Sequence, residues 1–294
     1  MTRPTRWLLG GLAVLAGLAG FVLVLRQAGG VGFGSDAGGE CEVYLKCDFA
    51  HHKGNFRPIG STQLDRCDDA CGGPALRLRR IQPGGDFGAR LPLFIDGAAN
   101  LTIVYLCKAK GVPRAMLNIW DQSAQDNITP KHYVELSPER WTPVVYHVDQ
   151  FRCNASNDLH APLRPGAFLH NLLLYGERPG STDTWMLIDN FAIYRGRDRT
   201  PPSRVEGLRA EVRTDGVQLS WLPAADNVGV MRYLVFRADD GASSFDRIGE
   251  TAVPAWLDLP PRAGEVRYQI RACDFEDNQG EPSEPVAVGA AAAR

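Results

Sequence analysis

Short strand-like runs separated by turn clusters recur along most of this chain and constrain its fold more than any other feature. Helix formers are scarce after residue 40, whereas Val, Thr and aromatic residues, which strands favour, are plentiful. Gly- and Pro-rich clusters such as 82–85 and 178–181 separate the runs. The predicted strands are 42–48, 75–81, 101–108, 115–120, 132–136, 142–148, 168–175 and 185–194. Because no strand–helix–strand rhythm and no long helical period appears, the pattern predicts an all-β body built as a sandwich or jelly roll.

The charge balance gives no reason to expect a polyanionic partner. The 294 residues contain 32 Lys and Arg against 34 Asp and Glu, a formal net charge of −2, so no global field attracts nucleic acid. The basic run at 76–80 alternates with leucines, which indicates a strand with its charged side in water. We therefore predict no nucleic-acid partner.

A stretch of nineteen residues without charge, 7–25, lies near the N-terminus. As a helix it would be roughly 28 Å long, close to the hydrocarbon thickness of a bilayer. Arg3 and Arg6 precede it and only Arg26 follows closely, so the positive-inside rule predicts a cytoplasmic N-terminus. The alternative is a cleaved signal peptide, whose apolar core is usually shorter and is followed by a small-x-small cleavage site. The sequence thus predicts a single-pass anchor in the cell membrane, with the body periplasmic or extracellular.

Six of the seven cysteines lie in the first half of the predicted exported region, an even number that suits a disulfide framework. They are Cys41, Cys47, Cys67, Cys71, Cys107 and Cys153. On one extended strand Cys41 and Cys47 would lie about 20 Å apart, too far to bridge. Cys41 and Cys47 would therefore pair with Cys67 and Cys71, and Cys107 would pair with Cys153. Zinc is the rival interpretation, but the spacings fit zinc ribbons poorly and an exported body favours disulfides. The odd residue, Cys273, is expected to be a buried free thiol.

Composition divides the chain into five segments. Residues 1–26 form the cytoplasmic stub and the anchor, and the Gly-rich residues 27–39 form a flexible linker. Residues 40–198 hold the predicted strands, up to a boundary stiffened by Pro201 and Pro202. Residues 199–288 have the length of one small sandwich, and 289–294 form an alanine-rich tail.

Residues 200–288 contain a series of recognisable motifs: TPPS at 200–203, VQLSW at 217–221, ADNVGV at 225–230, YLVFR at 233–237, YQIRA at 268–272 and NQGEPS at 278–283. With these motifs the segment resembles a fibronectin type III module, most closely the kind appended to secreted bacterial carbohydrate-active enzymes. Alternation places Trp221 on the inner face of a sandwich. Tyr268 stands where the family's corner tyrosine bonds back to the preceding loop. Asp226 and Asn227 could be mistaken for a calcium site but are interpreted as turn chemistry. Such modules act mostly as spacers, so no site is assigned here.

The segment from about 41 to 196 contains three motifs: the opening Asp48-Phe49 with GNF at 54–56, ELSPERWT at 135–142, and the closing WMLIDNFAIY at 185–194. With these motifs it resembles the galactose-binding-like jelly rolls that include many carbohydrate-binding modules. In that family the first and last strands lie together, and acidic side chains there commonly hold a structural calcium. The resemblance therefore implies a calcium ion at Asp48 and Asp189, completed by backbone carbonyls, and no other cofactor. The alternative is that Asp189 caps a turn or pairs with an arginine.

Flat aromatic rings beside amide and carboxyl groups supply the chemistry that sugar binding needs. Asn118, Trp120 and Asp121 end a predicted strand and run into a polar loop, with Tyr133 just beyond. We predict these four residues as carbohydrate contacts, with Trp120 as the platform. The competing interpretation is that Trp120 lies in the core, because sandwiches bury aromatic residues.

The sequence contains no recognisable catalytic motif. It has no nucleophile elbow, no phosphate-binding Gly loop and no His-Glu-x-x-His pattern, and no carboxylate pair is singled out for glycan cleavage. The sequence therefore predicts a non-catalytic, membrane-anchored protein that binds polysaccharide through its jelly roll. One alternative is a structural or protein-interaction role with an envelope protein as partner. The other is a glycan hydrolase or lyase.

Overall fold

The computed structural model describes residues 41–49, 53–68, 73–97, 99–123, 125–153, 167–176, 181–259 and 264–289. The predicted anchor at 7–25, the linker at 27–39 and Cys71 lie outside these ranges. Within them, no helix is long and apolar enough to span a membrane. Their regular structure is β-strand apart from one short 3-10 helix, Val148–Gln150. The all-β prediction is confirmed.

The strands from residues 42 to 195 form two antiparallel sheets, sheet A and sheet B, that pack face to face as the first sandwich. They are β1 (Glu42–Cys47), β2 (Arg57–Gly60), β3 (Thr62–Cys67), β4 (Ala75–Arg80), β5 (Phe87–Asp96), β6 (Leu101–Lys110), β7 (Arg114–Asp121), β8 (Asp126–Thr129), β9 (Val134–Glu135), β10 (Thr142–His147), β11 (Arg152–Cys153), β12 (Phe168–Gly176) and β13 (Trp185–Arg195). Sheet A has the order β10-β6-β13-β4-β3, with β1 also paired to β13. Sheet B has the order β11-β8-β7-β12-β5-β2, with β9 beside β7.

Side-chain alternation decides which face of each strand is buried in the first sandwich. Along β7 every second residue is buried, and β12 follows the same pattern outside one irregularity. The inward side chains of both sheets build one apolar core, which includes Leu76, Tyr105 and Phe191. By contrast, β6 and β13 are buried on both faces, so a second layer must cover the outer surface of sheet A.

That layer is the second sandwich, formed by residues 209–288. Its strands are β14 (Arg209–Val212), β15 (Val217–Ser220), β16 (Val230–Ala238), β17 (Asp246–Thr251), β18 (Ala255–Asp258), β19 (Val266–Asp274) and β20 (Val286–Val288). They form a three-stranded sheet, β14-β15-β18, and a four-stranded sheet, β17-β16-β19-β20. Trp221 is buried in the core edge-on to Tyr233, with ring centroids 5.3 Å apart. The predicted core position of Trp221 is confirmed.

The two sandwiches are joined by an apolar contact with polar bonds around it. Outward side chains of sheet A pack against residues of the second sandwich, in one cluster that holds Val104, Leu106, Ala192, Tyr194, Val228, Met231 and Phe275. The Tyr194 hydroxyl donates to Glu276 Oε1 at 2.9 Å, and Asn190 Nδ2 donates to the Val230 carbonyl at 2.8 Å. The outer surface of sheet A at β6 and β13 is therefore an internal interface, whereas the outer surface of sheet B faces water.

The structure does not form the predicted disulfides at Cys41, Cys47 or Cys107, which carry free thiols. Burial is the main cause that raises the pKa of each of these thiols to about 12. Cys273 is a buried free thiol, as predicted. The side chain of Cys153 lies outside the described residues, so its role stays a prediction.

A β-bulge explains why the two cysteines at either end of β1 differ in environment. The register of β1 on β13 shifts between Val43 and Leu45, and the extra residue reverses which side chains point to which face. Cys47 therefore lies in the core of the first sandwich. Cys41 lies on the opposite side, against the second sandwich.

The corner tyrosine of the second sandwich supports a testable prediction. The Tyr268 hydroxyl donates to Asp258 Oδ2 at 2.8 Å, and Arg237 Nη1 lies 3.0 Å from the same oxygen. Because a hydrogen bond to a buried charge contributes about 1.5–3 kcal/mol, Tyr268→Phe should lower the free energy of unfolding by about 2 kcal/mol in urea denaturation. Tyr44→Phe, which removes a hydroxyl at the rim of the first sandwich, is the control and should change it by less than about 0.5 kcal/mol. Equal losses in the two variants would contradict this.

Candidate functional site

Four aromatic side chains lie side by side on the outer, water-facing surface of sheet B. His170 of β12 is paired in register with Phe94 of β5 and with Trp120 of β7, so these three rings form one line across three strands. The ring centroids of Phe94 and His170 are 6.0 Å apart, and those of His170 and Trp120 are 6.2 Å apart. Phe168 lies beside Phe94 at 6.1 Å. These four residues are termed the ring row.

The exposure of the ring row is not required by the core. The side chain of Phe94 is 51% exposed and that of Phe168 is 38% exposed, although their strand neighbours Leu93 and Leu169 point inward and are buried. Leaving a phenylalanine in water forgoes about 2 kcal/mol of burial free energy. Adjacent exposed rings are characteristic of a contact surface.

Amide groups fix the orientation of two of the rings. Gln122 Oε1 accepts hydrogen bonds from Trp120 Nε1 at 3.2 Å and from His170 Nε2 at 2.8 Å. Asn171 Nδ2 donates to His170 Nδ1 at 2.7 Å. This pattern requires a neutral imidazole with its proton on Nε2. Burial also lowers the pKa of His170, so the ring row carries no charge near neutral pH.

A bulge in β12 positions this network. The register of β12 on both neighbouring strands shifts between His170 and Leu172, and Asn171 at the shift has a φ of 55°. Asn tolerates this left-handed backbone better than most residues do. The shift keeps Leu172 in the core while both His170 and Asn171 reach the outer surface.

A polar group continues the same face along the strands. The hydroxyl of Tyr175 on β12 is hydrogen-bonded to Tyr133 and to Asn118, and Asn118 lies two residues from Trp120 on β7. Burial is the main cause that raises the pKa of Tyr175 well above its ordinary value. The face therefore combines exposed rings with neutral hydrogen-bonding groups.

Three of the four sequence-predicted sugar contacts, Asn118, Trp120 and Tyr133, lie on this face. Asp121 does not, because its side chain is fully buried and its Oδ1 accepts a hydrogen bond from the Ser123 backbone N–H at 2.8 Å. Successive side chains on a strand point to opposite faces, and Asp121 directly follows the outward-facing Trp120. This spacing in the sequence could have excluded Asp121 as a sugar contact.

A second group of functional side chains lies where the two sandwiches meet. Asp198, Asp226 and Asp274 each offer one carboxylate oxygen, and these oxygens lie within 4.8 Å of one another. This spacing can hold a metal ion. In the described part of the chain, no other group of three or more His, Cys, Asp or Glu side chains is so arranged.

The calcium pair implied by the resemblance is not part of this group. β1 and β13 do lie together, but Asp48 is exposed whereas Asp189 is buried. Asp189 Oδ1 accepts from the Asn190 backbone N–H at 2.8 Å, at the register shift within β13. The structure therefore assembles its acidic site elsewhere, and one member is Asp226, which the sequence analysis left without a site.

The chain has no match among protein-family models, and no curated protein matches it. Among solved structures, a β-1,2-glucanase from Parabacteroides distasonis aligns over 87% of this chain and 40% of its own length, at 14% identity and a TM-score of 0.39. The glycoside hydrolase domain of Endo-D from Streptococcus pneumoniae aligns over 80% of this chain and 37% of its own, at 11% identity and a TM-score of 0.37. The chain thus spans less than half the length of either one.

Part of the chain is similar to fibronectin type III domains. The sixth such domain of human fibronectin type III domain containing protein 3 aligns over 33% of this chain and 93% of its own length, at 17% identity and a TM-score of 0.28. The similarity is weak and covers about a third of the chain. The predicted jelly-roll carbohydrate-binding module is not confirmed for the first sandwich.

These comparisons correct two expectations from the sequence. The prediction of a non-catalytic protein, and with it the prediction that the chain is no enzyme, is wrong, because two solved structures that align over most of the chain are glycoside hydrolases. At these identities and TM-scores the alignments assign no reaction to this chain. The predicted membrane and envelope-protein partners find no support in the residues that the structure describes.

The hydrogen bonds around His170 predict its titration. The folded pKa of His170 is lowered from its ordinary value of about 6.5, so its contribution to stability is present above about pH 6.5 and is lost as the pH falls through the folded pKa. Long-range ¹H–¹⁵N NMR should show the Nε2–H tautomer at neutral pH and a pKa below 6.5. Asn171→Gly keeps the backbone conformation accessible but removes the donor to Nδ1, and should raise that pKa. A His170 pKa at or above 6.5 in the unsubstituted protein would contradict the network.

Proposed function

We propose that this protein takes part in glycan processing and contacts its polysaccharide through the ring row. The observation that carries the proposal is the exposed line of Phe94, His170 and Trp120 beside neutral amides. The face of a pyranose ring presents C–H groups that stack on aromatic rings, while its hydroxyls need donors and acceptors at the edge. The side chains of Gln122, Asn171 and Asn118 supply such groups.

The shape and charge of the face narrow the ligand to an extended, neutral chain. Three neighbouring strands spaced at about 4.8 Å make the line of rings roughly 10 Å wide, and it lies on an open sheet surface. Because His170 is held neutral and its partners are amides, an uncharged polysaccharide suits the face better than an acidic one. The resemblance of the first sandwich to galactose-binding-like jelly rolls is consistent with this ligand class.

The two enzymes in the comparisons indicate which reactions to test. The names of both describe glycan cleavage, so the assay should measure release of reducing ends as well as binding. The ring row contributes to such a reaction by holding the polysaccharide against sheet B.

The ring row should govern affinity for polysaccharide. With the full chain and a panel of neutral polysaccharides that includes β-1,2-glucan, affinity electrophoresis should show retardation by at least one member. Trp120→Ala and Phe94→Ala should each weaken that binding at least about tenfold, because each removes about 1.4 kcal/mol or more of stacking and burial. Leu222→Ala removes a side chain that is 59% exposed on the second sandwich and should leave the binding unchanged.

The same variants test turnover. If the bound polysaccharide is cleaved, Trp120→Ala should lower kcat/KM by a factor similar to its loss of affinity, because uniform binding is removed. Failure of the whole panel to bind or to be cleaved would contradict the proposed function. Binding that survives both alanine variants would instead place the contact outside the ring row.

A further inference from the structure

The acidic group at the junction draws on three separate segments of the chain. Asp198 lies in the connection from β13 to β14, Asp226 in the loop between β15 and β16, and Asp274 ends β19. The connection from the first sandwich thus meets two loops of the second one here. Any ligand held by all three carboxylates would tie these segments together.

Two of the carboxylates have an oxygen that no protein group satisfies. Asp198 is 1% exposed, and its Oδ1 accepts from Thr200 N and Asn227 Nδ2, both at 3.0 Å. Its Oδ2 is buried without a hydrogen-bond partner. The two carboxylate oxygens of Asp226 differ in the same way. Its Oδ1 accepts hydrogen bonds from two backbone N–H groups, while its Oδ2 is buried without a hydrogen-bond partner. Buried carboxylate oxygens are normally satisfied, so this pair needs a cation or a proton.

The protein's own cations do not balance these charges. The Lys46 ammonium donates to the backbone carbonyl of Asp226 and to neither of its carboxylate oxygens in the structure. Three clustered carboxylates of this kind favour a bound positive ion near neutral pH.

We propose that Asp198, Asp226 and Asp274 bind a calcium ion that fastens the second sandwich to the segment leading out of the first. The ligands are hard oxygens, and calcium–oxygen distances of about 2.3–2.6 Å allow one ion to reach oxygens spread over 4.8 Å. Backbone carbonyls and water complete its usual shell of six to eight oxygens. Structural zinc sites are built mainly from Cys and His ligands, whereas this group consists of three carboxylates.

This ion is structural and independent of the ring row. The junction lies on the outer side of sheet A, where Tyr194 bonds to Glu276, and the ring row lies on the outer side of sheet B. Calcium should therefore stabilise the fold without changing polysaccharide affinity, so the two proposals fail or succeed separately.

The test is a comparison of Tm with and without calcium on the full chain. After treatment with a chelator, added CaCl2 should raise the Tm of the unsubstituted protein in a concentration-dependent way, and isothermal titration should show one site. Asp198→Asn and Asp226→Asn should weaken calcium binding at least about tenfold. Asp277→Asn is the matched control, because Asp277 is in the loop after Asp274 but its side chain is 71% exposed and pairs with Arg232; calcium binding should be unchanged.

A reversal of stability order distinguishes loss of the ion from poor folding. Without calcium, Asp198→Asn removes one of three like charges, so its Tm should equal or exceed that of the unsubstituted protein. With saturating calcium the order should reverse. No Tm response of the unsubstituted protein to calcium, an equal response in Asp198→Asn, or a magnesium response as large as that to calcium would overturn the proposal.

Discussion

The burial of sheet A on both faces is the constraint from which the rest of the structure follows. Its central strands, β6 and β13, are apolar on both sides, so sheet B must cover one surface and the second sandwich the other. Tyr194 shows the result, since it is fully buried on the outer side of sheet A and donates to Glu276 across the junction. Only the outer surface of sheet B is left to meet a ligand as a broad face.

That division separates the two groups that carry chemistry. Aromatic rings are exposed on the outer surface of sheet B, and Gln122 fixes the orientation of Trp120 and of the neutral His170. The carboxylates lie instead where the sandwiches meet, and there burial leaves Oδ2 of Asp198 and of Asp226 unsatisfied. One face thus has the chemistry of ligand contact, and the junction has the chemistry of a cation site.

The strand-like runs alone predicted much of this fold, including every strand of sheet A except β3. They missed β5, because Pro92 interrupts the pattern and normally argues against a central strand. The structure tolerates Pro92 because neither neighbouring strand pairs with it. β2 pairs with β5 only as far as Arg90, and on the other side the register shift of β12 between His170 and Leu172 already interrupts the ladder. Because β5 was not predicted as a strand, Phe94 was not predicted as part of the site. The junction group was equally inaccessible to sequence analysis, because Asp226 and its two partners are far apart in the chain.

The central claim is that the ring row contacts polysaccharide, and the most direct measurement is an NMR titration of the full chain with oligosaccharides of whichever polysaccharide it retains. The indole N–H of Trp120 and the imidazole of His170 should shift progressively and saturate together. The indole of Trp221, buried in the second sandwich, should not move. Saturable shifts elsewhere with Trp120 and His170 unchanged would contradict the account.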